Sequence, residues 1–262
     1  MKRACIFVSY WAEPELPGYI HHHVEALAAL DFDIFFVSNS PLDEASEAQL
    51  GEYCKSVRQR ENVGFDFGAW RDELRLVELS GYDGLLLTNS SIVGPLFDLS
   101  PMFVEMDKRG SDFWGLTLNR LFKDHLQSFF LYFQPQVWQS QSWDTFWGNV
   151  KDHADKRQII LDYELELYSH FQSAGFTGSS YIKPNPLWTM LRPSMLPGRR
   201  KKPVYYDDPT IARPFAIVRQ GFPYVKASLL WGEAKEIGPS LDQFKRRIKT
   251  DYDWSLAESM LF

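Results

Sequence analysis

The chain has 262 residues, of which 45% are hydrophobic and 24% charged, a composition that excludes general disorder. Its 28 basic and 34 acidic side chains give a net charge of −6. That balance argues against a dedicated nucleic-acid-binding protein, because phosphate contacts require an excess of Lys and Arg. With only two cysteines, Cys5 and Cys54, a disulfide framework and a four-thiolate zinc site are excluded.

The first 110 residues alternate short apolar runs with helical patterns. The apolar runs predict strands at 4–9, 33–39, 56–60 and 84–89, and the helical periodicity predicts helices at 21–30, 42–55 and 71–79. Continuous apolar strands separated by helices are typical of a parallel sheet that is covered on both faces. We therefore expect an α/β fold with a Rossmann-type sheet, whose ligands bind at the carboxyl ends of the strands.

The second half follows a different pattern. Two predicted strands, 112–117 and 127–133, have no helix between them, which suits antiparallel additions to the sheet. Helices are predicted at 143–150 and 157–174, a proline-rich loop at 183–214, and a last helix at 220–231. We expect one mixed domain over 1–262 with an irregular C-terminal lobe. No apolar run reaches the roughly 20 residues that span a bilayer, and the first residues lack a signal peptide's apolar region, so we expect a cytoplasmic protein.

Two polar segments follow predicted strands. The segment 62–70 opens a helix, and in it Asn62, Gly64 and Asp66 combine close backbone approach with directional hydrogen bonds to a ligand. An equally weighted alternative is a glycine-rich turn in which the Asp caps the helix. Asn89 and Ser90 leave the fourth strand, where a nucleotide-binding sheet places its diphosphate contacts. No Asp-x-Asp occurs there, and a simple polar turn is the alternative.

Two further segments carry titratable side chains. His125 and Gln127 enter an aromatic strand, and in a strand alternate residues share one face, so both could meet one ligand. A structural role is the more frequent one for a single His. Glu164 stands at the front of the helix that ends before Gly175, and as a carboxylate there it could act as a general base. The alternative is compensation of the helix dipole on an exposed turn.

Three other segments contain charged or metal-binding side chains, but their sequences are weaker evidence for a function. The consecutive residues His21–His23 point in different directions on a helix and cannot all bind one ion. A solvated turn is the favoured interpretation for Asp207-Asp208 over a metal site. The run Arg199–Lys202 could contact acidic headgroups, although four charges in a loop are usually only solvated.

Several motifs occur in a recognisable order. They are ENVGFDFGAW at 61–70, LTNSSIVGPL at 87–96, DFWGLT at 112–117, HLQSF at 125–129, the pair Tyr163-Glu164 followed by Gly175-Phe176, and GFPYVK at 221–226. This ordered set resembles the rhamnan synthesis protein F family of bacterial cell-surface polysaccharide glycosyltransferases. The resemblance implies a GT-A-like fold and covers most of the chain, with residues 1–110 as a nucleotide-sugar-binding half and 111–262 as an acceptor-side half.

The resemblance also implies a reaction, an inverting sugar transfer. It assigns the catalytic base to Glu164, the second position of an acidic pair whose first acid is replaced by Tyr163. The family often has Asn-Asp-Ser where Asn89-Ser90-Ser91 stand here. Because a carboxylate is missing, we expect no metal cofactor. The candidates to stabilise the leaving diphosphate are then His125, Lys226, a loop arginine and the backbone amides after Asn89.

The partners that the resemblance implies are a nucleoside diphosphate sugar, dTDP-rhamnose above all, and a glycan or lipid-linked glycan acceptor. Peripheral contact with the inner face of the plasma membrane is a further expectation, and no nucleic acid is expected. Two other classes compete. A non-catalytic glycan- or partner-binding module would account for the missing Asp-x-Asp and the nine tryptophans. A sugar-nucleotide pyrophosphorylase is disfavoured, because 9–13 supply no glycine-rich basic loop.

Overall fold

The computed structural model of the chain describes residues 1–120, 123–183, 208–232, 234–236 and 238–258. Its strands are β1 (Arg3–Ser9), β2 (Phe32–Ser38), β3 (Cys54–Gln59), β4 (Gly84–Asn89), β5 (Ile92–Val93), β6 (Phe113–Asn119), β7 (His125–Leu126), β8 (Phe130–Phe133), β9 (Gly178–Ile182) and β10 (Val225–Lys226). Its first helices are α1 (Gly18–Ala28), α2 (Glu44–Gly51), α3 (Phe65–Leu74), α4 (Ser100–Arg109), α5 (Pro135–Trp138) and α6 (Gln141–Gly148).

One long helical stretch follows α6. It consists of α7 (Lys156–Ile159), a π-helical segment (Ile160–Glu164) and α8 (Leu165–Ser173). Short helices complete the described chain at Pro209–Ala212, Pro214–Val218, Ala227–Leu230, Leu241–Arg247 and Trp254–Ala257. None of the helices in the described residues is both long and apolar enough to cross a membrane.

Eight strands form a mixed sheet in the order β3-β2-β1-β4-β8-β6-β7, with β9 also paired to β6. β1 lies parallel to β2 and β4, while β8 runs antiparallel to both β4 and β6. The predicted fold class, a Rossmann-type mixed sheet flanked by helices, is therefore confirmed, and so are the antiparallel additions. The chain reverses its strand order between β1 and β4, which is where such sheets leave a ligand crevice.

Helices cover both faces of the sheet because its inner strands are apolar on both sides. In β1, Cys5 and Phe7 face α1, α4 and the C-terminal helices, whereas Ala4, Ile6 and Val8 face α3, α6 and α8. All five side chains are fully buried. The alternation of a strand thus supplies two separate cores from one apolar run.

Two predicted helices are wrong in their extent. The third helix begins at Phe65 and ends at Leu74, not over 71–79, since the left-handed backbone of Gly64 starts it earlier. The predicted last helix at 220–231 is largely absent. Gly221 has a φ of 96°, β10 pairs with β5, and only Ala227–Leu230 is helical. Pro223 and the pairing of β10 interrupt the apolar pattern that suggested a helix.

Candidate active site

Polar residues meet at the carboxyl ends of β1, β2 and β4. The amide of Ser90 donates to the Val8 carbonyl at 3.0 Å, and the amide of Tyr10 lies 3.3 Å from the Ser90 hydroxyl. The Tyr19 hydroxyl donates to the Ser90 carbonyl at 2.8 Å. The structure thus places Ser90 in the crevice between β1 and β4, with its hydroxyl tied to the end of β1.

Asp66 and Asn89 are brought together from two different motifs. The Asn89 side-chain amide donates to Asp66 Oδ2 at 2.9 Å, and Asn89 Oδ1 accepts from the Ser91 hydroxyl at 2.6 Å. Asp66 lies in the first turn of α3 but does not cap it, because the N-cap position belongs to Gly64 and no side chain caps the helix. The helix-cap alternative for Asp66 is therefore wrong, and its carboxylate faces the β4 turn instead.

The environment of Asp66 changes its titration. The pKa of this carboxyl is raised to about 6, chiefly by burial and also by the negative charge of Glu164, while Lys156 and the hydrogen bond from Asn89 oppose the rise. Phe67 and Tyr163, which adjoin Asp66 and Glu164 in the sequence, have ring centres 5.7 Å apart, so the start of α3 packs against the π-helical segment. Lys156, at the start of α7, was not predicted as a site residue.

The loop after β3 is held in shape by Arg60. Its guanidinium donates to Asn39 Oδ1, to the Val63 carbonyl and to Asp72, at 2.9, 2.9 and 3.0 Å. Asn62 lies within this loop, and among the described residues no donor reaches its buried Oδ1. Likewise, among the described residues no acceptor reaches the buried Nδ2 of Asn39. This residue follows β2, and the sequence did not single it out.

Gly64 permits the close approach of this loop to Asp152, which follows α6 in the chain. Its φ is 73°, and a Cβ placed on it would lie 2.5 Å from Asp152 Oδ1 and 3.1 Å from the Gly68 backbone. Only a glycine fits that conformation and that space without strain. The sequence predicted that Gly64 allows close approach of the backbone. In the structure a glycine at this position is a steric requirement of the turn that presents Asn62 and Asp66.

Glu164 ends the π-helical segment and faces inward. The Ser128 hydroxyl donates to Glu164 Oε2 at 2.6 Å, His125 Nε2 lies 4.0 Å from Oε1, and the side chain is 20% exposed. The residue is not at the front of a helix, because α7 begins eight residues earlier at Lys156. The dipole argument for Glu164 is therefore wrong. A π-helical turn, a feature common at functional sites, lies at this position instead.

The prediction that His125 and Gln127 share one face of a single strand is wrong, because His125 lies in β7 and Gln127 lies between β7 and β8, and the two side chains make different contacts. His125 Nδ1 donates to the Lys123 carbonyl at 2.7 Å, so its other nitrogen is directed toward Glu164. The Gln127 amide is engaged inside the protein, accepting from the Thr117 hydroxyl at 2.7 Å and donating to Asp208 at 2.8 Å. Asp208 itself is 2% exposed and caps a helix, so the expectation that it lies in a solvated turn is wrong.

Lys226 reaches the site through β-strand pairing. It lies opposite Ile92 in the β10–β5 ladder, and the Ala227 amide donates to the Ser91 carbonyl at 2.9 Å. The ammonium group lies 4.7 Å from the centre of the Phe129 ring. Among the described residues no carboxylate lies within 4.0 Å of it. A partly buried cation thus stands beside the Asn89–Ser91 turn.

The weaker motifs have their own outcomes. His22 and His23 contact the Pro95 carbonyl and the Tyr224 hydroxyl respectively, so the histidine tract is divided among different partners. Across the described ranges, no group of three or more His, Cys, Asp or Glu side chains is arranged to hold a metal ion. The run Arg199–Lys202 and Asp207 lie outside the described residues.

The family profile of rhamnan synthesis protein F matches residues 34–261. The chain belongs to the rhamnan synthesis protein F family, as its motifs led us to expect. Among curated relatives, it is 28% identical over 63% of its length to the uncharacterized protein y4gN of Sinorhizobium fredii, covering 44% of that protein. It is 27% identical over 70% of its length to the virulence protein VirA of Vibrio anguillarum, covering 65% of it. The chain thus spans less than two thirds of the length of these relatives.

Solved structures give more distant similarities. The glycosyltransferase GlyE of Streptococcus pneumoniae aligns with 98% of this chain and 62% of its own, at 16% identity and a TM-score of 0.44. A cytidylyltransferase of Leptospira borgpetersenii aligns with 71% of this chain and 77% of its own, at 14% identity and a TM-score of 0.41. The assignment to the family rests on the sequence match alone.

Proposed function

We propose that this chain is an inverting, GT-A-like glycosyltransferase that moves rhamnose from dTDP-rhamnose to a hydroxyl of a bacterial cell-surface polysaccharide precursor. The observation that carries the proposal is the packing of the segment that ends at Glu164 against the start of α3, where Asp66 accepts a hydrogen bond from Asn89. A partly buried carboxylate beside the polar carboxyl edge of a Rossmann-type sheet is the arrangement that such a transfer requires. Membership of the family supports the donor and acceptor classes.

In the proposed reaction Glu164 is the general base. Its Oε2 is oriented by the Ser128 hydroxyl, and Oε1 takes the proton of the acceptor hydroxyl. The acceptor oxygen then attacks the anomeric carbon from the face opposite the diphosphate. The bond from that carbon to the diphosphate oxygen breaks in the same displacement, and the nucleoside diphosphate leaves with the electron pair.

Stabilisation of the leaving group falls to Lys226, because the backbone amides of Ser90 and Ser91 already donate to the Val8 carbonyl and to Asn89 Oδ1. Lys226 has no carboxylate within 4.0 Å among the described residues, so its charge is available to an incoming diphosphate. His125 is the second candidate, because its Nε2 faces the same space as Glu164. We propose that these groups act without a divalent metal, since the β4 turn carries Ser90 where a carboxylate would be needed.

The nucleoside is assigned to the loop after β3 and the start of α3. Asn62, Gly64 and Asp66 supply a side-chain amide, close backbone approach and a carboxylate for sugar hydroxyls. We place Ser90 beside the diphosphate and treat Gln127 as support for the site, since its amide is engaged by Thr117 and Asp208. The proposed location is the cytoplasmic side of the plasma membrane, with peripheral contact.

The decisive experiment replaces the base. Glu164→Gln keeps the shape of the side chain and removes its basicity, so transfer from dTDP-rhamnose should fall by ~10²–10⁴ while dTDP affinity stays within about twofold. Glu47→Gln, on the exposed surface of α2, serves as the matched control. Normal turnover of Glu164→Gln would refute the role of the base. Binding of dTDP-rhamnose without transfer or hydrolysis in the wild-type protein would favour a non-catalytic module.

A further inference from the structure

A groove lies on the outer side of the helical stretch that carries Glu164. This α6–α8 groove has a volume of about 750 Å³ and runs between α6, the π-helical segment and α8. Phe146 and Tyr163, both buried, form its floor. Its walls are polar and include Lys123, Ser142, Asn149, Glu166, Ser169 and His170.

The charged side chains of the α6–α8 groove have partners within the protein, and the lining carries a small excess of negative charge. The ammonium group of Lys123 lies 2.5 Å from Glu166 Oε2, and Asp162 accepts from the Gln158 amide at 2.8 Å. One lysine against two carboxylates leaves the lining without the surplus positive charge that a phosphate or an anionic polymer needs. The groove therefore suits a ligand that is neutral and polar.

The remaining walls offer hydrogen bonds to hydroxyl groups. Ser142 and His170 form a pair at 2.9 Å, Ser169 donates to the Glu166 carbonyl at 3.0 Å, and each hydroxyl oxygen can still accept. An aromatic floor with hydroxyl, amide and imidazole walls matches sugar rings, which present apolar C–H faces and polar edges. The chemistry of the α6–α8 groove is that of a neutral glycan site.

A series of contacts connects one end of the α6–α8 groove to the proposed catalytic base. Lys123 lines the groove, its carbonyl accepts from His125 Nδ1 at 2.7 Å, and His125 Nε2 lies 4.0 Å from Glu164 Oε1. We propose that the α6–α8 groove binds the neutral sugar units of the acceptor glycan behind its reactive end and so directs the terminal hydroxyl to Glu164. This inference rests on the proposed function and adds the acceptor class and its place.

The first test fills the groove. Ser169→Trp puts an indole into the half-buried wall, and we expect the KM for a neutral rhamnose oligosaccharide acceptor to rise at least about tenfold. Hydrolysis of dTDP-rhamnose without acceptor should stay within about twofold of the wild-type rate. Val104→Trp adds the same ring to the exposed face of α4, across the sheet, and should change neither quantity. An unchanged acceptor KM in Ser169→Trp would overturn the inference and leave the proposed function standing.

The second test reads binding without catalysis. In calorimetry the wild-type protein should bind the neutral rhamnose oligosaccharide, and Asn149→Ala, at the exposed rim, should weaken it about threefold or more. An oligosaccharide of the same length with uronic acid units should bind more weakly. Equal or tighter binding of the anionic oligosaccharide, or unaltered affinity in both Asn149→Ala and Ser169→Trp, contradicts the inference. If the protein binds the oligosaccharide but shows neither transfer nor hydrolysis, the groove is a glycan-binding site and the proposed glycosyltransferase activity is wrong.

Discussion

At the scale of single residues, the proposed binding group Asp66 lowers the stability of the fold at neutral pH. Its pKa of about 6, against an ordinary value of 3.8, means that the folded state binds this proton more tightly than the unfolded chain. Stability therefore falls as the pH rises from about 4 to about 6, and the penalty persists above that range. A carboxylate kept in such surroundings is typical of a functional site.

The Asp66→Asn variant should separate function from stability. Removing the charge is expected to stabilise the fold at pH 7.5 by about 1 to 3 kcal/mol, and to give no gain at pH 4. The same substitution should weaken dTDP binding about tenfold, since a charged hydrogen-bond acceptor is lost. Denaturant unfolding at both pH values and calorimetry measure the two effects, with Asp107→Asn on exposed α4 as the control. A variant that is destabilised at pH 7.5 and binds dTDP normally would return Asp66 to a structural role.

At the scale of elements, the strand β10 connects the C-terminal residues to the sheet core. Tyr224 precedes it, and its hydroxyl lies 2.9 Å from His23 Nε2 of α1. Both rings are fully buried, and burial lowers the pKa of His23 to about 3, so this imidazole stays neutral in the folded state. The pair is a polar connection between α1 and the segment that carries Lys226.

Tyr224→Phe should remove that connection and leave a buried imidazole nitrogen unsatisfied. Among the described residues His23 Nδ1 already lacks a partner, so the expected loss is about 1 to 3 kcal/mol. Tyr10→Phe, whose side chain is exposed, should change the free energy of unfolding by less than about 0.5 kcal/mol. Chemical denaturation of the two variants makes the comparison. Equal stability would show that the pair contributes nothing to the attachment of β10.

The elements that the sequence predicted correctly include the strands that are buried on both faces of the sheet, because such strands are apolar along their length. β1, β2 and β4 are continuous apolar runs, and the structure buries them as expected. β5 and β10 escaped prediction because two-residue strands have no period, and β9 because its sequence GSSYI is polar. Their pairing depends on neighbours that are distant in sequence, which no local pattern reports.

The candidate site was predictable to a similar degree. Asp66, Asn89 and Glu164 stood in the sequence motifs, and the contact of Asp66 with Asn89 followed from the rule that ligands bind at strand ends. The roles of Ser128 and Asn39 were missed, because a serine in the HLQSF motif, which lies in a turn before β8, and an asparagine after β2 carry no distinctive local signal. Their importance depends on the tertiary contacts with Glu164 and Arg60.

At the scale of the whole molecule, the two halves of the chain contribute different parts of the proposed chemistry. Residues of the first half supply the nucleoside and diphosphate contacts, and Glu164 and Lys226 come from the second. The boundary at residue 110 and the single domain over 1–262 stay predictions. Because stabilisation of the leaving group is assigned to Lys226, with His125 as the second candidate, the transfer itself should not depend on a divalent ion.

Transfer activity should therefore persist within about twofold after dialysis against EDTA. Lys226→Ala should lower kcat by ~10²–10³ under the same conditions, since it removes the charge assigned to the diphosphate. Lys249→Ala, in the described C-terminal segment and outside the candidate site, is the control. Complete loss of activity on chelation, with recovery on adding Mg²⁺, would contradict the metal-free assignment.

The position of β8 has a consequence for biosynthesis. It is inserted between β4 and β6, although β6 precedes it in the chain. On a translating ribosome, β4 therefore presents an unpaired edge until Phe130–Phe133 has emerged, and β6 cannot join the growing sheet before then. A nascent chain that stalls after residue 120 is expected to be a substrate for holdase chaperones, whereas one that has passed residue 133 can pair the open edge of β4 with β8.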